Sequence, residues 1–262
     1  MDMSYRLGAF LGMFFIIALW EFLSPRRDED QQRSRRWPVN LGLVTLNSIL
    51  VRFTVGGLIY QSALLAQQNH IGLLNWAGSG SGWNLVMTLI MLDLTIYGQH
   101  VASHKIPLLW KLHQVHHTDP VYDTTTGVRF HPLEIFFSLG VKVVAVFLIG
   151  ADPFAVILFE VILNTSAVFN HGNIALPLHV DRYLRKIVVT PDMHRVHHSV
   201  YREETDSNYG FALSVWDRLF GTYRDQPRDG HEKMRIGLPY ARGKEAITLS
   251  GVITMPLHYP PK

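Results

Sequence analysis

LDLTIYGQHVASHKIPLLWKLHQVHHTD, residues 92–119, runs from an apolar segment straight into five histidines. On a helix His100 and His104 stand one turn apart. His113, His116 and His117 fall at i, i+3 and i+4, so each set shares a face. Asp93 and Tyr97 continue the stripe of His100 and His104 toward the apolar end. The second spacing returns as HRVHH, residues 194–198. At this chain's own histidine frequency one HxxHH is expected about 0.04 times by chance, so two together with HVASH mark a metal centre rather than coincidence.

Neutral imidazole ligates iron, zinc, copper and nickel. Eight clustered imidazoles exceed the three or four protein ligands of one tetrahedral ion, which implies two metals. The chain has no cysteine, which excludes thiolate sites, iron–sulfur clusters, disulfides and cysteine nucleophiles. There is no Glu-x-x-His pair of the ferritin type. There is also no HExxH, which argues against a zinc hydrolase that activates water.

Working outward, the chain reads as all-α and membrane-embedded. Hydrophobic residues make up 48% of its 262 residues and charged ones 17%, against about 25% charged in a typical soluble domain; mean hydropathy is +0.11. Apolar runs cover residues 7–23, 41–66 and 85–97. A further block, 135–169, breaks near Gly150, Asp152 and Pro153 into two short halves, so about four spans are expected, the last two as a short hairpin. Gly56 and Gly57 should bend the second run. Arg52 within it is expected to snorkel or to pair inside the bundle.

The linker PRRDEDQQRSRRWP, residues 25–38, carries the densest basic run, while residues 67–83 carry no Lys, Arg, Asp or Glu. The positive-inside rule puts the linker in the cytoplasm, and alternation of spans then delivers every clustered histidine to that same side. A net charge of +3 spread this way is a topology signal, and no nucleic-acid partner is expected. The expected division is an N-terminal helix and basic linker, 1–38, followed by a membrane-embedded catalytic domain with a helical cytoplasmic cap, 39–262.

HVASH, HQVHH, VRFHPLE, FNHGN, TPDMHRVHH, NYGF and WDRLFGTY occur in that order between residues 93 and 223. In this the chain resembles the fatty acid hydroxylase/sterol desaturase superfamily. The resemblance implies an integral membrane oxidoreductase with two iron ions, for which zinc can substitute. Such an enzyme uses O2 as co-substrate and attacks a C–H bond of a fatty acyl, sterol or related lipid. It draws electrons from an external cytochrome b5-, ferredoxin- or reductase-type donor.

Carried onto this chain, the metal ligands are His100, His104, His113, His116, His117, His194, His197 and His198, with His171 of FNHGN as a further ligand. His131 of RFHP is a tenth candidate, equally plausible as a turn anchor. Val101 stands where many members have Arg, and FNHGN has one histidine where two are common. Hydroxylation is the expected outcome, with desaturation at the same type of site, or a non-redox zinc-binding membrane protein, as alternatives.

Asp93 and Tyr97 are expected to support the centre from behind the ligands, or else Asp93 pairs with Arg52. Asp119, Asp192 and Asp217 read as surface turn or cap residues. Trp216 and Phe220 read as packing, Tyr209 and Gly210 as part of a lid over the site, and His70, His179, His231 and His258 as isolated. The compact length favours a bacterial inner membrane, with the boxes on the cytoplasmic side.

Overall fold

A computed structural model describes residues 3–28, 33–78 and 80–259. Among them the chain is helical, with isolated backbone bridges and no strand. The helices are α1 (Met3–Leu23), α2 (Arg33–Val55), α3 (Leu58–Gln68), α4 (Leu73–Ala77), α5 (Ser81–Lys105), α6 (Pro107–His117), α7 (Pro132–Ile149), α8 (Pro153–Asn170), α9 (Leu178–Leu184), α10 (Pro191–His197), α11 (Arg202–Thr205), α12 (Val215–Leu219), α13 (Gly230–Lys233) and α14 (Leu249–His258).

Four helical segments are long and apolar enough to cross a membrane: α2 with α3 and α4, then α5, α7 and α8; the apolar part of α1 is shorter. This is an integral membrane protein. The bend expected in the second run lies between α2 and α3, where Gly57 adopts φ +81°, a left-handed conformation that glycine tolerates without a Cβ clash. The hairpin break is equally local. Gly150 ends α7 at φ +70°, then Asp152 caps α8 by accepting from the Ala155 N–H, and Pro153 opens it. At 18 residues each, α7 and α8 reach about 27 Å, close to the roughly 30 Å of a bilayer's hydrocarbon core.

The spans pack on a shared apolar core that includes Ile59, Leu92, Ile96, Leu139, Val146, Ile149, Val156 and Phe159. Deep in the span pair, Lys142 of α7 donates to the Glu160 carboxylate of α8 at 3.1 Å. α1 lies along α8, where Phe14 and Ile17 pack with Val168 and with Ile174 just beyond that helix. The remaining helices and the loop 118–131 form a cap over one end of the bundle.

Two arginines of the basic linker are buried. Arg36, 0% exposed, lies inside α2 and donates to Asp119 and Asp123, and Arg27 donates to the carbonyls of His231 and Met234. Charge density alone reads these residues as a topology signal, but their immediate work is to tie the α1–α2 corner to the cap. Asp119, Asp192 and Asp217 are likewise buried rather than on surface turns.

Candidate metal centre

α5 ends at Lys105 and Pro107 opens α6, so HVASH and HQVHH meet across a one-residue corner. α8 brings His171 at its C-terminal cap, and Thr190 caps α10, whose last turn carries HRVHH. Nine histidines converge, all buried, in two groups whose ligand atoms lie within 4.8 Å of one another: His100, His104, His113, His117 and His197, and His116, His171, His194 and His198. Each HxxHH box is therefore shared. The i, i+4 pair of α6 joins the first group and His116 the second, while His194 and His198 join the second group and His197 the first. The expectation that each box presents its imidazoles as one set is corrected, because α6 and α10 face each other and the two groups form between them.

The outer ring nitrogens fix how the inner ones point. His100 Nδ1 donates to the Tyr209 carbonyl at 2.8 Å, His197 Nδ1 to the Ser207 carbonyl at 2.7 Å, and His171 Nδ1 to the Ala167 carbonyl at 2.7 Å. His113 Nδ1 donates to the Glu134 carboxylate at 2.6 Å and His104 Nδ1 to Asp206 at 3.3 Å. A neutral imidazole whose Nδ1 holds the proton presents an Nε2 lone pair on its other side.

These Nε2 atoms crowd together. His104 and His117 approach to 3.1 Å, and His171 lies 3.1–3.2 Å from His116, His194 and His198. Nε2 of His113 and of His197 is buried without a partner, at about 1–3 kcal/mol each if nothing binds there. Converging lone pairs without a donor are what a cation relieves, and an all-nitrogen donor set suits iron or zinc. The residues fit a metal in each group.

Burial, reinforced by neighbouring imidazoles, pushes His116, His117, His194, His197 and His198 well below the ordinary imidazole value, and burial holds His171 at about 4. All six are neutral at pH 7, the form that ligates. Aromatic rings close the walls. Phe130 stacks on His116 with centroids 4.5 Å apart, and Trp110 packs on His104 at 5.0 Å. Below α6, Asp119 binds Arg36, Asn40 and Thr126, and Arg129 donates to the Val115 carbonyl. Although burial raises the Asp119 carboxyl, Arg36 and Arg129 outweigh it and hold it at about 2.

Three other expected site residues sit elsewhere. His131 is outside both groups. It caps α7, its Nδ1 accepting from the Leu133 N–H while Nε2 donates to the Ile253 carbonyl, so both ring nitrogens are engaged. Asp93 accepts from the Ala212 and Leu213 N–H groups and from Trp216 Nε1. Tyr97 hydrogen-bonds Thr222 at 2.9 Å and stacks on Phe220. From the predicted stripe of α5 these two side chains hold the cap segment 212–222.

The profile of the fatty acid hydroxylase family matches residues 85–222, more than half of the chain and the whole of both histidine groups. The chain belongs to this family. Over 247 residues, 89% of the chain, it is 27% identical to an ornithine lipid hydroxylase of Rhizobium tropici, covering 71% of that protein. It is 28% identical to the alkylglycerol monooxygenase of Homo sapiens over 61% of its length, and 30% identical to a Delta(7)-sterol-C5(6)-desaturase of Nicotiana tabacum over 56%. The chain spans about a third of the alkylglycerol monooxygenases it matches, 34% of the human one. No solved structure matches it significantly.

Proposed function

We propose that this family member is a membrane-bound, O2-dependent hydroxylase of a lipid substrate. The observation that supports it is the pair of adjoining groups of five and four buried neutral imidazoles, in a chain whose relatives are named lipid hydroxylases and monooxygenases. His100, His104, His113, His117 and His197 hold one iron, and His116, His171, His194 and His198 the other. Bound there, the iron pair supplies the O2 activation that no side chain can provide.

The chain's own task is to position the substrate and exclude water. An apolar recess of about 680 Å³ lies between α5 and α7, lined by Met91, Thr95, Phe136, Gly140, Val144 and Leu148. Its end at Thr95 and Phe136 lies five residues before His100 on α5 and two after Glu134 on α7, so a lipid chain lying in it would point toward the histidine end of these helices. Electrons come from a separate cytochrome b5-, ferredoxin- or reductase-type donor. The sequence topology faces the cap to the cytoplasm, in a bacterial inner membrane.

The test is elemental analysis of detergent-purified protein expressed with iron, followed by O2 uptake with a lipid panel and mass spectrometry of the products. About two irons per chain and products 16 mass units heavier support hydroxylation. Products two units lighter would identify desaturation, the reading that similarity to the Nicotiana tabacum enzyme favours. Zinc-loaded protein without lipid-dependent O2 uptake after iron reconstitution would remove the proposal.

A further inference from the structure

Three of the five histidines in the larger group take their outer hydrogen bonds from one stretch of four residues. Asp206 accepts from His104, the Ser207 carbonyl from His197, and the Tyr209 carbonyl from His100. Successive groups of an ordinary extended or helical segment do not face one target in this way. The stretch does so because Asn208 adopts φ +51°, an uncommon conformation for a residue with a side chain.

That conformation is held from both sides. The Asn208 N–H donates to the Thr222 carbonyl, its Nδ2 to the carbonyls of Met193 and Arg224, and its Oδ1 accepts from the Arg224 N–H. Asp217, 0% exposed, then accepts from the Tyr209 N–H at 2.7 Å, the Gly210 N–H at 2.8 Å and the Thr222 hydroxyl at 2.7 Å. The approach requires glycine at 210, where a Cβ would come within 2.6 Å of the Asp217 carboxylate. Thr222 in turn meets Tyr97, one turn before His100 on α5.

The smaller group takes less of its support from this stretch. His171 donates to the Ala167 carbonyl of its own helix α8, and the stretch 206–209 reaches this group at His194, through a backbone hydrogen bond with Asn208. We propose that Asp217 is a positioning residue for the five-histidine group, acting through the strap 206–209, and that Asp206 positions His104 within it. The strap then supports three ligands of the five-histidine position and one, His194, of the other, so loss of Asp217 should weaken the first position more than the second. This rests on the reading that each group binds an ion.

The test uses metal-free, detergent-purified protein titrated with cobalt(II), read by visible absorption and competition with a chelator. Wild type should take up two ions per chain. Asp217→Asn should keep one tight ion and bind the other about 10–100-fold more weakly, the range expected when outer partners of metal-bound histidines are displaced, since the strap that Asp217 holds supplies three of them. Two double variants identify the weakened position. Asp217→Asn with His198→Ala should lose its remaining tight ion, and Asp217→Asn with His113→Ala should keep one.

Equal weakening of both ions, or wild-type affinity at both, would overturn the proposal. Should Asp217→Asn fail to fold by circular dichroism, Asp206→Asn on the outer side of the strap carries the test. It is expected to give a smaller loss at the five-histidine position, and an unchanged titration would overturn its role and the strap's. Wild type that binds fewer than two ions would refute the underlying two-ion reading instead.

Discussion

Glu134 shows how much of the site depends on a single outer contact. Its carboxylate accepts a hydrogen bond from the Nδ1–H of His113 at 2.6 Å in a pocket where both residues are buried. Glu134→Ala would leave that N–H without an acceptor, at about 1–3 kcal/mol, and free the ring to turn. The expected outcome is metal affinity at the five-histidine group lowered about 10–100-fold. Glu134→Gln, which keeps an acceptor oxygen, should retain most of it. Chelator competition on the two purified variants measures this, and wild-type affinity in Glu134→Ala would show that His113 is oriented by something else. Eight of the nine converging imidazoles were legible in the sequence because their spacing is written in letters, and His171 only through the resemblance of FNHGN to a family motif. Glu134 left a weaker trace, one carboxylate in the first turn of a mostly apolar helix. The carbonyls of Ala167, Ser207 and Tyr209 leave none, since any residue supplies a carbonyl and only the fold decides where it points. The same limit explains Asp119, Asp217 and Arg36, whose charges read as exposed until their partners are in place.

At the scale of elements, the spans were legible wherever an apolar run ends in residues with a physical reason to stop a helix. Gly150, Asp152 and Pro153 are such residues, as is Gly57. What periodicity could not show is that α6 and α10 divide their histidines between two groups, because i, i+3 and i+4 share a face whether that face meets one ion or two. The tight seating of the turn 126–128 on α8 was equally hidden. A Cβ on Gly127 would collide with the Ala167 carbonyl and stand 3.1 Å from His171 Nδ1. That carbonyl is the acceptor that orients His171. Gly127→Ala is therefore expected to displace His171 and to weaken the four-histidine group while the five-histidine group keeps its ion, the reverse of the pattern for Asp217→Asn. Cobalt(II) titration distinguishes them, and loss of the five-histidine ion in Gly127→Ala would count against the different supports of the two groups.

For the molecule as a whole, the cap encloses nine imidazoles that are useful only when neutral and partnered, so its stability should depend on metal and on pH together. In the folded chain His116, His117, His194, His197 and His198 lie well below the ordinary value of 6.5, and His171 at about 4, chiefly through burial. Between those values and about 6.5 the unfolded chain binds protons that the folded one does not. A depressed folded value on a base makes stability rise with pH, and the stability is lost as pH falls through 6.5. Each such group contributes up to about 1.4 kcal/mol per pH unit, so the six together change stability by at most about 8 kcal/mol for each pH unit below about 6.5, a large step beside the roughly 5–15 kcal/mol of a whole domain. Metal-free protein in detergent should therefore melt at a much lower temperature at pH 5.5 than at pH 8. Metal-loaded protein should hold its melting temperature to lower pH, because the ions compete with the protons for the same lone pairs. Thermal melts of both forms across that range make the comparison. A metal-free melting temperature that stays level from pH 8 to 5.5 would mean that the histidines are hydrated and already protonatable without metal, and that the cap is open rather than packed around them.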